Sequence, residues 1–133
     1  MHRSSTVLLV VLLAACGDPP APPPQKIPYA APGVRLSVEQ SSPACGPTGS
    51  YRAKVAWQVP AQRAGKLEVQ VDARQRKHFV RSTQASGEQQ TGEWVSSGLA
   101  FYLVDRNTDE VLAATAAGPG QCAQAAAEQP AAD

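Results

Sequence analysis

From Val34 onward, apolar residues recur at every second position through run after run, and this period of two restricts the chain to a β architecture. Val34, Leu36 and Val38 alternate with Arg35, Ser37 and Glu39. Tyr51, Ala53, Val55, Trp57 and Val59 form a second such series, and Leu67, Val69 and Val71 a third. Successive side chains of a strand point to opposite faces, so each run has one face to bury and one to wet. A shorter run at 77–81 centres on Phe79, and another at 89–95 ends in Trp94-Val95. Residues 99–104 are apolar on both faces, as in a central strand, and residues 111–116 close the set. Turn formers separate the runs: Pro43, Gly46, Pro47 and Gly49, then residues 60–65, Ser86-Gly87, residues 96–98 and residues 105–109. Seven short strands so spaced predict an all-β fold, an antiparallel β-sandwich over residues 33–122.

The N-terminus carries a different message. Arg3 precedes an apolar run at 7–13, too short for the roughly 20 residues that span a bilayer, and Asp18-Pro19 halts it. The run ends in Leu13-Ala14-Ala15-Cys16, which resembles the lipobox of bacterial lipoproteins. The resemblance implies that residues 1–15 are a signal peptide cut before Cys16. It further implies that Cys16 carries a diacylglyceryl group and an acylated amine, attaching the protein to a membrane. In that family an aspartate directly after the cysteine favours inner-membrane retention. Gly17 stands there and Asp18 one place later, so the outer membrane is expected, with the inner membrane as the alternative.

Residues 16–32 then read as the lipidated cysteine and a proline-rich linker. Seven of the chain's twelve prolines fall between residues 17 and 33, and such a stretch favours extended polyproline II. It serves either as a spacer lifting the domain off the lipid or as a proline-motif ligand. At the other end, residues 123–133 are rich in alanine and glutamine and read as a disordered tail.

An odd number of cysteines in an exported chain needs an explanation. If Cys16 is lipidated, Cys45 and Cys122 remain as one candidate disulfide in an oxidising compartment. Two reduced thiols or a metal pair are the alternatives. A metal wants further ligands at short spacing, and His78 is the only histidine after Cys16. No metal and no cofactor are expected.

Several residues resemble bacterial immunoglobulin-like or fibronectin type III-like modules. These are Trp57, the alternation at 67–71, Thr91-Gly92-Glu93-Trp94 leading into Gly98-x-x-Phe101-x-Leu103, and the turn at 105–112. The likeness covers residues 33 to about 117 and implies binding, adhesion or spacing rather than catalysis. Asp109 stands where such turns often carry glycine, and aspartate tolerates the left-handed region better than most residues. In a seven-strand, up-and-down count the first and seventh strands run the same way. The chain just before Cys45 and the chain just before Cys122 then reach the same pole, where the two cysteines can meet.

Charge and motif narrow the function classes. Removing residues 1–15 takes away Arg3 and leaves 11 Lys/Arg against 11 Asp/Glu, so nothing favours nucleic acid. His78 lacks a Gly-x-Ser-x-Gly elbow to work with, and Glu88 and Glu93 are a carboxylate pair of the kind any exposed sheet offers. Asp105-x-Asn107-x-Asp109 begins like a calcium loop but fails at Glu110 and Ala116, and reads as a polar hairpin turn. Arg74, Arg76, Lys77 and Arg81 form the basic cluster, which either meets an anionic wall polymer or acidic protein or guards an edge strand. Trp94 is either a sugar-stacking platform or a cap on the core. The candidate binding residues are therefore Arg74, Arg76, Lys77 and Trp94. The expected function is a lipid-anchored, non-catalytic binding or adaptor module whose partner is an envelope protein or wall polymer. The alternatives are an inhibitor of an envelope-attacking hydrolase and a small sandwich enzyme.

Overall fold

The computed structural model describes residues 26–122, so Cys16, the expected signal segment at 1–15, most of the expected linker and the expected tail after Cys122 lie outside the described residues. The described chain is all-β. Its strands are β1 (Tyr29–Ala30), β2 (Arg35–Cys45), β3 (Tyr51–Gln58), β4 (Leu67–Val71), β5 (Lys77–Ser82), β6 (Ser86–Gln90), β7 (Ala100–Asp105) and β8 (Glu110–Ala116). A single 3-10 turn, Ala61–Arg63, links β3 to β4. The strands form two antiparallel sheets, β1-β8-β7-β4-β5 and β2-β3-β6, packed as an immunoglobulin-like sandwich.

Alternation decides what each sheet buries. On β3, Tyr51, Ala53, Val55 and Trp57 point into the sandwich, and on β4 so do Leu67, Val69 and Val71. Phe101 and Leu103 of β7 and Leu112 of β8, all with no exposed surface, complete the other side of the core. Each fully buried side chain of this size contributes roughly 1.5–3 kcal/mol relative to an exposed one. The alternate residues of β7 meet elsewhere: Ala100, Tyr102 and Val104 join Ala114 in a second buried cluster on the outer face of the larger sheet.

Eight strands stand where seven were expected. The addition is β1, whose Tyr29 and Ala30 pair with Ala114 and Ala113 on β8. Ala31 donates to Leu112 O at 2.8 Å and is buried, so the sandwich begins before residue 33 and takes in the end of the proposed linker. Backbone pairing to an edge strand, not side-chain burial, recruits this segment.

Two other boundaries move. Pro43 does not end β2. It sits inside the strand, where the register to β3 slips between Gln40 and Cys45. Proline cannot donate to a ladder and is tolerated at such an irregularity on an edge strand. The strand expected at 89–95 is instead β6, with Trp57 facing Gly87 across the ladder. A Cβ on Gly87 would sit 2.5 Å from Trp57 Cζ2, so the indole occupies the space that a side chain there would need. Ser86-Gly87 is therefore strand and not turn. Val95 keeps only an isolated bridge to Tyr51.

The disulfide Cys45–Cys122 is formed, with Cα atoms 5.3 Å apart. It joins the end of β2 to the chain that follows β8, so the first and last of the seven anticipated strands do reach one pole. The turn at residues 72–76 lies there too, since Asp72 N–H donates to Ala100 O at 3.0 Å at the start of β7.

Candidate functional site

Trp94 is one of the two large hydrophobic residues exposed among the described residues, and at 42% exposure it is the more open. Its position is nonetheless fixed. The indole stacks on Phe101, with centroids 6.3 Å apart and planes 20° from parallel. Phe79 meets it edge-on at 5.6 Å. Gly92 supplies the remaining contact, since a Cβ there would stand 2.8 Å from Trp94 Cδ1. Such aromatic pairs contribute about 0.5–1.5 kcal/mol beyond their buried area. Trp94 therefore caps the core and offers a rigid aromatic surface to solvent at once.

That surface walls a cleft of about 330 Å³ at the disulfide pole. Val71, Phe79 and Leu99 provide its apolar part, while Asp72, Lys77 and His78 bring polar groups. The polar groups arrive on one turn and the strand that leaves it. Asp72 and Arg76 both take positive φ, at 81° and 47°, and Arg76 N–H closes the turn on Asp72 O at 2.9 Å. Asp72 Oδ1 accepts from Arg74 N–H at 2.9 Å, and Asp72 also lines the cleft. Lys77 is exposed and takes part in no ion pair among the described residues.

The four anticipated binding residues are thus divided. Lys77 and Trp94 come together in the cleft. Arg74 is exposed on the turn beside it. Arg76 is turned to the other face of the sheet, where its guanidinium carbon lies 3.7 Å over the Tyr102 ring. This cation–π contact gives Arg76 a structural post. Lys77 and Arg81 also stand on β5, an edge strand, which suits the guarding role.

His78 has a partner that the sequence did not reveal. Its Nδ1 is 2.6 Å from Glu68 Oε1. An ionised carboxylate only accepts, so Nδ1 carries the proton. Gln70 Nε2 donates to Glu68 Oε2 at 3.0 Å, and Arg81 Nε stands 3.6 Å from Oε1. Burial pushes the Glu68 carboxyl up, but the hydrogen bonds from Gln70 and His78, with the charges of His78 and Arg81, outweigh it and hold the group below its ordinary value. Residues 68 and 70 on β4 face Arg81 and His78 on β5, a register that only the pairing of these strands creates.

The other motifs resolve locally. Glu88 pairs with Lys54 at 3.8 Å and Glu93 with Arg52 at 3.9 Å. Asp105 Oδ1 accepts from Asn107 N–H at 2.8 Å, and Asp109 takes φ 59° to close the β7–β8 hairpin. A larger groove of about 540 Å³ lies along β2 and the segment after β8. Two of its polar groups are tied to the chain that lines it: Tyr51 Oη donates to Gly118 O at 2.6 Å, and the Gln40 amide bonds the backbone of Gln121. The Glu39 carboxylate also lines it, but no exposed aromatic ring does. The cleft under Trp94, which joins an exposed aromatic ring to a cationic and an anionic side chain, is therefore the better candidate site.

No family model, curated protein or solved structure matches the chain. Its class is accordingly set by its fold: a disulfide-closed, immunoglobulin-like β-sandwich with an aromatic-walled cleft at one pole.

Proposed function

We propose that this chain is a lipid-anchored protein of the bacterial cell envelope that presents its sandwich as a non-catalytic binding or adaptor module. Cys16 is the anchor, the outer membrane its site, and the proline-rich stretch a stalk. An envelope protein or wall polymer is the partner. The observation that carries the binding role is Trp94, an exposed indole braced by Phe101 and Phe79 in the cleft that Lys77 also lines. A rigid aromatic surface with a few convergent polar groups is what recognition sites use for affinity and orientation.

Two experiments test the two halves of this reading. Cys16→Ser should leave an exported protein that fractionates away from membranes. Continued membrane partition after signal removal would exclude lipid anchoring. Cross-linking in intact envelopes should capture a partner that is lost with Trp94→Ala or Lys77→Ser but retained with Arg76→Gln. A hydrolytic activity abolished by His78→Gln alone would instead make the protein an enzyme.

A further inference from the structure

The chemistry of the Trp94 cleft selects among ligands, given the binding-module reading on which this step rests. Phe101 and Phe79 fix the indole, so a ligand meets a flat, immobile aromatic surface and not a side chain that folds around it. Flat aromatic surface favours a partner with an apolar face of matching shape, such as another ring or the C–H face of a pyranose. The polar groups refine the choice. Asp72 brings an acceptor and Lys77 a donor to the same cleft. Sugar hydroxyls both donate and accept, so each can be satisfied there.

An acidic peptide fits less well. It offers Trp94 no flat ring face, and its successive carboxylates crowd Asp72, whereas a saccharide with one acid per disaccharide brings a single carboxylate to Lys77. Nucleic acid lacks the basic excess it requires, since Lys/Arg and Asp/Glu are equal in number after residue 15. The local charge still leans positive: Lys77 is joined at the rim by Arg74, which takes part in no ion pair among the described residues. At about 330 Å³ the cleft is at the small end of ligand sites and takes a short saccharide segment.

We infer that the cleft between Trp94 and the 72–77 turn binds a pyranose saccharide bearing an anionic group, its ring stacked on Trp94, its hydroxyls on Asp72 and its acid on Lys77.

Tryptophan emission reports the event directly. Trp57 is buried at 6% exposure and Trp94 is open, so a ligand in the cleft perturbs Trp94 alone. The full-length protein in detergent is titrated with a hyaluronan tetrasaccharide, which alternates carboxylate-bearing and neutral pyranoses, with neutral chitotetraose, and with pentaglutamate. The charged saccharide should shift the emission and bind more tightly than the neutral one. Trp94→Ala, followed by calorimetry, should weaken it about tenfold, the scale of one stacking contact. Trp94→Tyr keeps a flat ring and the packing on Phe101, and should restore part of that loss if stacking, not folding, is responsible. Lys77→Met should erase the preference for the charged saccharide and flatten its salt dependence.

Pentaglutamate binding as tightly as the charged saccharide would overturn the inference, as would silence toward both saccharides. If both saccharides are ignored while a Trp94-dependent envelope partner is still cross-linked, the saccharide inference falls and the binding module stands. If no Trp94-dependent partner of any kind appears, both fall.

Discussion

Gln40 holds Gln121 by both halves of its backbone: Nε2 donates to the carbonyl oxygen at 2.8 Å and Oε1 accepts the N–H at 2.7 Å. The side-chain amide thus does for one residue what a neighbouring strand would do. Tyr51 Oη, donating to Gly118 O at 2.6 Å, adds a second clasp, and burial raises its pKa. Gly120 lets the chain pass close to the same ring, since a Cβ there would stand 2.5 Å from Tyr51 Cδ1. The disulfide then fixes Cys122 to Cys45. The chain after β8 is therefore bound to the β2 side of the sandwich at three successive points.

Breaking the covalent point should weaken the whole domain. The bridge spans 77 residues, for which the chain-entropy model gives about 4.5 kcal/mol as an upper expectation. Cys45→Ser with Cys122→Ser should lower the urea midpoint accordingly. Gln40→Ala should cost about 1 kcal/mol in the oxidised protein and less in the double-serine background, because the clasp then holds a freed end. Equal losses in both backgrounds would show that the amide and the disulfide act independently.

Gly87→Ala should destabilise the sandwich by about 1–3 kcal/mol, the range for overpacking a filled core. The added methyl would sit 2.5 Å from Trp57 Cζ2 and 2.9 Å from Cε2, both ring atoms on a buried side chain. The indole must shift or the β3–β6 ladder must part. A changed near-ultraviolet circular dichroism signal from Trp57, with an earlier thermal midpoint, is the expected signature. An unchanged midpoint would mean that the ring has room to move.

Arg76 should behave as a structural residue although it belongs by sequence to the basic cluster. Arg76→Gln removes the cation–π contact with Tyr102 and should cost about 1 kcal/mol of stability while leaving ligand binding at the cleft intact. Lys77→Ser should do the reverse. Loss of binding in Arg76→Gln at full stability would return Arg76 to the recognition surface.

Side-chain periodicity makes the buried strands legible in the sequence itself. The alternation on β3 and β4 and the two-sided run on β7 each correspond to a strand with its apolar residues inward or buried on both faces. β6 escaped because Ser86–Gln90 is polar and exposed, so its pairing with β3 leaves no hydrophobic pattern to read. β1 escaped for a similar reason: two exposed residues held by backbone bonds to β8. The cleft was half legible. Trp94 and Lys77 stand out by type, but Asp72, Phe79 and Leu99 join them only through the folding of separate segments. Arg76, grouped with Lys77 by sequence, lies over Tyr102 and outside the lining of the cleft, a placement that only the folded sheet reveals.

Stability should fall in acid below about pH 4.5 through Glu68. This carboxylate is mostly buried on the outer face of the larger sheet, bonded by Gln70 and His78 and attended by Arg81. Its folded-state pKa lies below the ordinary value of 4.5, so the folded state releases the proton more readily than the unfolded chain. The resulting stabilisation is complete above the unfolded pKa and drains away as pH falls through the lowered folded value. Glu68→Gln should cost about 1–3 kcal/mol near neutrality, as expected for breaking a largely buried, charged hydrogen-bond network. That difference from wild type should shrink as the pH drops below 4.5. His78→Gln should reproduce part of the loss, since it replaces the donor at 2.6 Å. Urea unfolding of the three proteins between neutrality and strong acid measures this directly. A constant gap between wild type and Glu68→Gln across that whole range would show that Glu68 titrates alike in the folded and unfolded chains.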